Sequence, residues 1–192
     1  MLRMLTALLV LALSTQSYAS AALKLVVAAT KQIGVTVNYD GRYQKIAYPN
    51  GDVPRSQGVC TDVLIRAYRE RGVDLQVLVH QDMQRAWGAY PRLWQLKSPD
   101  SNIDHRRVPN LAAFFSRHGE SLPIRKTPQD FLPGDIVTWR LASGLPHIGI
   151  VANQFGPSGR PLVVHNIGQG TQLEDRLFEY VITGHYRYAV KE

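Results

Sequence analysis

The chain has 192 residues, 45% of them hydrophobic and 19% charged, with 22 Lys and Arg against 15 Asp and Glu for a net charge of +7. It is long enough for one domain with a real core, one cysteine excludes an internal disulfide, and there are no repeats or low-complexity tracts. The positive balance suits a polyanionic partner. The basic residues are scattered, however, and no zinc-finger spacing or aromatic–basic RNA-binding box is present, so a solvated cationic surface and no nucleic-acid partner are expected.

In chain order, Arg3, an apolar run over Met4–Leu13 and small residues at Ser17 and Ala19 describe a cleavable secretory leader over residues 1–19. The run is too short to span a bilayer well, and no later stretch is long and apolar enough to cross one. Export to the periplasm or the medium is therefore expected, with residues 20–192 forming a single, monomeric domain. Residues 21–33 read as a helix stopped at Gly34, followed by a loop carrying Tyr39, Tyr43 and Tyr48. After a turn-dense stretch, apolar residues at Val63, Leu64, Ala67 and Tyr68 mark one face of a helix from Cys60 to Arg71, stopped at Gly72. His80–Trp87 looks helical, and Val108–His118 forms another helix, with Pro109 in its first turn and Gly119 past its end. From Pro133 the texture changes to short β-branched and aromatic runs at Ile136–Trp139, His147–Val151, Leu162–His165 and Tyr186–Val190. Helices followed by a small antiparallel sheet predict an α+β fold, with an insertion at about residues 72–130.

Cys60 opens its helix on the face turned toward the body of the protein. The unpaired N–H groups there favour thiolate, while Asp62 opposes it. The ordinary fate of a free cysteine is burial as a small apolar residue. In an oxidising compartment an unpaired thiol is instead shielded, joined to another chain, or kept for its reactivity. Thiol hydrolysis also needs a base and a group that orients it. His147 opens one predicted strand and His165 closes the next. If those strands are antiparallel neighbours, both imidazoles reach one rim of the sheet. Either histidine alone reads as an edge residue; with the cysteine, the two suggest a site.

Pro133-Gly134-Asp135-Ile136-Val137-Thr138-Trp139, then His147-Ile148-Gly149-Ile150-Val151, then Val164-His165-Asn166 resembles the signature of NlpC-type cysteine peptidases and the related cysteine/histidine-dependent amidohydrolases. These are papain-like α+β enzymes, mostly of bacterial cell-wall turnover. The likeness spans roughly residues 43–170. Gly58-Val59-Cys60-Thr61-Asp62-Val63 and Ser101-Asn102-Ile103-Asp104-His105-Arg106-Arg107-Val108-Pro109-Asn110-Leu111 resemble, more closely, phrases of an uncharacterised (DUF) family of secreted bacterial proteins within that superfamily. The resemblance implies Cys60 as nucleophile, His147 as general base and His165 as the residue orienting it. It also implies that Tyr48 shapes the site and that the Cys60 N–H is an oxyanion donor. Peptidases usually read Asp-Cys-Ser-Gly here, whereas this chain has Val59-Cys60-Thr61-Asp62; the flanking Asp62 is expected to meet substrate.

Asp100, Asn102 and Asp104 have the spacing of the first three ligands of a calcium loop, but His105 and Leu111 stand where that loop needs glycine and glutamate, so no metal is expected. Two readings of this stretch stay open. Asp100 and Asn102 make a turn with Asp104 capping the segment after it, or the loop lines the cleft and His105, Arg106 or Arg107 meets an anionic group. The expected function is cleavage of an amide in cell-wall peptide or another anionic envelope substrate, without a cofactor. The alternatives are a thiol acyltransferase or esterase, and a non-catalytic envelope-binding module.

Overall fold

The computed structural model describes residues 19–188; all but the last residue of the expected leader, and residues 189–192, lie outside them. Helix α1 is described over residues 19–30 and runs into turns where Gly34 takes a left-handed φ of 76°. Its Leu25, Val26 and Ala29 are buried. Strand β1 (Asn38–Tyr39) pairs in parallel with β2 (Gln57–Gly58), which leads directly into α2 (Cys60–Glu70). Helices α3 (Leu75–Arg85) and α4 (Val108–His118) follow, then β3 (Glu120–Ser121), β4 (Ile136–Arg140), β5 (Pro146–Phe155), β6 (Pro161–Asn166), β7 (Thr171–Glu174) and β8 (Val181–Arg187). The fold is α+β, with the sheet order β3-β8-β4-β5-β6-β7 antiparallel at every pairing.

Alternation along the central strands divides the core. Ile136, Ile148, Ile150 and Val164 face the helices and pack with Leu64 and Tyr68 of α2 and Leu111 and Phe115 of α4. Val137, Trp139, Val151 and Val163 face the other way, onto Phe131 and Leu177. Each such large side chain, removed from water, contributes about 1.5–3 kcal/mol. The predicted insertion supplies α3 and α4, whose Leu75, Val79, Met83, Leu111 and Phe115 all belong to the helix-side core.

Two expectations about elements are corrected, and one strand was not expected at all. Helix α3 begins at Leu75 instead of His80, because Asp74 accepts a hydrogen bond from the Gln76 N–H (3.0 Å) and caps it. The last strand is Val181–Arg187 and so begins before the expected Tyr186, since pairing with β4 holds it there, with a register shift between Thr138 and Trp139; Ala189 and Val190 of the expected run lie outside the described residues. Strand β7 escaped the reading because Leu173 is its only apolar residue; it is an edge strand held by its ladder with β6.

The expectation of solvated basic residues also fails at two positions. Arg66 is buried, and its guanidinium donates to both oxygens of Asp52 (2.9 Å), to Thr36 Oγ1 and to the carbonyls of Val53 and Gln57. This clamp fixes the loop that delivers Cys60. Arg106 is buried against Asp62, with paired contacts of 2.9 Å.

Candidate active site

Cys60 is the first residue of α2, and each neighbour of it is tied down. The Val59 N–H donates to Asp62 Oδ2 (2.7 Å), the Thr61 hydroxyl donates to the Arg106 carbonyl (3.0 Å), and Asn166 Nδ2, next to His165, donates to the Gly58 carbonyl (3.1 Å). Burial pushes the Cys60 thiol up to about 12. Asp62 adds to this, against the pull of the Ile148, Thr61 and Cys60 N–H groups. The expected preference for thiolate at a helix start is therefore outweighed. A helix terminus contributes roughly 0.3–2 kcal/mol, whereas full burial of an ionisable group can move it by several pH units. At pH 7 the Cys60 side chain is a neutral thiol.

Strands β5 and β6 pair as Ile150↔Val164 and Val151↔Val163, and continuing that register sets His165 opposite Gly149, with His147 one step along the same face. His147 Nε2 lies 2.8 Å from His165 Nδ1, and the rings meet edge-on at 5.0 Å. Gly149 makes room for this approach, since a Cβ there would lie 3.0 Å from the Val164 carbonyl and 3.1 Å from His165 Cβ. Trp139, paired with His147 across β4 and β5, sets its ring 5.7 Å from the imidazole. Burial, with His165 beside it, holds His147 down to about 3, so its imidazole is neutral at pH 7. His165 is lowered too, by burial, with Glu174 pulling the other way. Its Nε2 makes an oblique contact, 3.0 Å, with Glu174 Oε2.

Cys60 and His147 line one cavity of about 660 Å³. Arg106, Arg107, Tyr39, Tyr43 and Trp94 form its polar and aromatic wall, and Leu141, Leu145 and Ile167 its apolar one. The Arg107 guanidinium sits 4.3 Å over the Trp94 ring and pairs with Asp104 at 3.2 Å.

Of the expected site residues, the structure brings Cys60, His147 and Arg106 to this cavity and seats His165 directly behind His147. Three others lie off it. Tyr48 is exposed on a turn with its ring against His80 (5.3 Å); the tyrosines on the cavity wall are Tyr39 and Tyr43. Asp62 is consumed by its helix cap and by Arg106. His105 is buried away from the cavity, with Nδ1 unpartnered, and burial holds it down to about 3. Both readings of the Asp100 stretch contain part of the answer. Asp100 accepts from the Asn102 N–H (2.9 Å) and Nδ2 (2.8 Å), and Asn102 Oδ1 accepts from the Ile46 N–H (3.0 Å), which makes the turn. Ile103, Arg106 and Arg107 then reach the cavity.

Sequence reasoning passed over Trp94, Gly149 and Glu174. For Glu174 a turn signal existed, Gly168 and Gly170 before Thr171-Gln172-Leu173-Glu174, though that segment has one apolar residue; its pairing with β6 sets Glu174 on the His165 face. The Asp135 of the Pro-Gly-Asp signature is structural; it is fully buried and accepts from Arg187 (2.8 and 2.9 Å) and the Leu132 N–H (2.9 Å), with His185 Nε2 at 2.8 Å. Among the described residues no group of three or more His, Cys, Asp or Glu is arranged to hold a metal ion, and no helix is long and apolar enough to cross a membrane.

Comparison with known proteins finds relatives of the chain. The family described as "Domain of unknown function (DUF1287)" matches residues 26–188. "Uncharacterized protein YijF" of Escherichia coli (strain K12) is 57% identical over 163 residues, spanning 85% of this chain and 80% of that one. Among solved structures, NlpC1 and NlpC2 from Trichomonas vaginalis each superpose with a TM-score of 0.47 at 16% identity over 88% of this chain. The chain spans less than half of their length, 45% and 47%.

Proposed function

The chain belongs to the DUF1287 family, and on that footing we propose that it is an exported cysteine hydrolase that cleaves an amide bond in cell-wall peptide. The observation that carries the reading is that Cys60 and His147 line the same cavity, with His165 2.8 Å behind the imidazole. That arrangement supports reading Cys60 as nucleophile, His147 as base and His165 as the orienting group, the three parts acyl transfer needs.

Thiol and imidazole both rest neutral, so the proton moves during attack. His147 Nδ1 takes the Cys60 proton as sulfur bonds to the substrate carbonyl carbon, and the N–H groups at the start of α2 can receive the developing oxyanion. His147 returns the proton to the leaving amine as the C–N bond breaks. Water, deprotonated by the same nitrogen, then hydrolyses the thioester and restores the thiol. A wall that mixes arginine, tyrosine and tryptophan with apolar residues suits a charged peptide strand better than an acyl chain.

The test is mass analysis of purified sacculi incubated with the protein, with Cys60→Ser and with His147→Ala. The wild type is expected to release peptide fragments and both variants none. Undiminished release by Cys60→Ser would remove Cys60 as nucleophile, and no release by the wild type would remove this substrate class.

A further inference from the structure

We infer that Glu174 is a positioning residue that sets the direction of the proton between His165 and His147, and thereby which nitrogen of His147 is left bare as a base. The inference rests on the proposed roles of Cys60 and His147, but it concerns a residue outside the cavity and has its own readout.

Two neutral imidazoles joined by a contact of 2.8 Å share one hydrogen, and it can sit either way. If His147 Nε2–H donates to His165 Nδ1, then His147 Nδ1 carries a lone pair. That nitrogen makes no hydrogen bond among the described residues, and His147 lines the cavity with Cys60. If His165 Nδ1–H donates instead, His147 Nε2 is the acceptor, its Nδ1 bears the hydrogen, and it cannot take a proton from a thiol. The pair by itself does not choose.

Glu174 supplies the choice. Its Oε2 lies 3.0 Å from His165 Nε2, and an ionised carboxylate only accepts. The approach is oblique, a charge contact and not an aligned hydrogen bond, but an acceptor this close favours the hydrogen on His165 Nε2, which in a neutral ring leaves Nδ1 bare to accept from His147. Arg176 orients the carboxylate, donating from Nε to Oε1 at 3.0 Å. Arg176 is itself held by Glu179 (2.9 Å) and by the Tyr180 hydroxyl (3.0 Å), so Glu174, Arg176 and Glu179 are the charged groups facing His165 from outside. A doubly protonated His165 would reverse the order, but both rings are nearly inaccessible to water, and burial disfavours that charge. The resulting array runs Glu174, His165, His147, Cys60, with every hydrogen pointing away from the thiol.

The experiment uses the full chain labelled with 15N histidine and long-range 1H–15N spectra at pH 7, for the wild type, Glu174→Leu and Glu174→Gln. The wild type is expected to show His147 and His165 both as Nε2–H tautomers. Glu174→Leu should move His147 toward the Nδ1–H form and lower kcat by about 10- to 100-fold with KM nearly unchanged. Glu174→Gln, whose amide oxygen still accepts, should keep the wild-type tautomers and most of kcat. Glu174→Val, favourable in an edge strand, replaces the leucine variant should that fail to fold. A wild-type His147 in the Nδ1–H form, or spectra unmoved by removal of the carboxylate, would overturn the inference. Because the spectra need no turnover, a wild type inactive on sacculi would refute the proposed function and leave this question decided separately.

Discussion

The charge state of Cys60 separates this site from one that stores a thiolate–imidazolium pair, and its pH dependence can be followed directly. The perturbation is pH itself, over about 6 to 10. With the thiol pushed up to about 12 from an ordinary 9.0, the thiolate fraction at pH 7 is ~10⁻⁵ instead of ~10⁻², a thousandfold deficit. The assay is alkylation by iodoacetamide followed by intact mass, folded and in urea. Shielding of the nearly buried sulfur lowers the folded rate at every pH alike, so the slope is the readout. The folded protein should gain about tenfold in rate per pH unit across the whole range, while the unfolded chain bends over near its ordinary value. His147→Ala should leave the folded slope unchanged, since no proton sits on His147 Nδ1 at rest. A plateau in the folded rate below pH 8 would refute the reasoning, because it would mean a stored thiolate that burial should forbid.

Acid should unfold the protein early. His105 and His147 are each held down to about 3 by burial, below an ordinary 6.5, so their contribution is complete above pH 6.5 and is lost as pH falls toward 3. Between pH 7 and 5 each should remove up to about 2 kcal/mol from the urea-derived stability, and His105→Gln should flatten that dependence. A urea midpoint unchanged over this window would contradict it. Gly149→Ala should cost about 1–3 kcal/mol in the same assay, because its methyl meets the Val164 carbonyl and His165 Cβ. It should lower activity more than that loss explains by prising apart the histidines; activity equal to wild type would argue against the close approach. Arg106→Met should cost about 3–5 kcal/mol by stranding the buried Asp62, and adding Asp62→Asn should recover most of it. Additive losses in the double variant would show that the two side chains do not act as a pair.

Elements whose signal is local were legible in the sequence. Apolar periodicity marked α2, Pro109 and Gly119 bounded α4, β-branched runs marked β4, β5 and β6, and Gly34 and Gly72 marked two stops. Even the meeting of His147 and His165 could be reasoned from strand order, because antiparallel neighbours bring one start beside one end. What failed was judging how deeply several polar side chains away from the strands are buried. Arg66 and Arg106 read as surface charges and are buried, His105 reads as substrate-facing and is turned inward, and Tyr48 stands away from the cavity that Tyr39 lines. Each depends on partners distant along the chain, Asp52 and Thr36 for Arg66 and Asp62 for Arg106, and no window of sequence contains them.

The sequence by itself thus determined the α+β order, the cysteine at a helix start and the two histidines on adjoining strands, because periodicity and spacing act over a few residues. Only the tertiary structure decided that the thiol and the imidazole rest uncharged and that Glu174 stands behind His165. The state of a proton depends on how much water reaches it and which charges lie within a few ångströms, and both are set only when distant segments pack together.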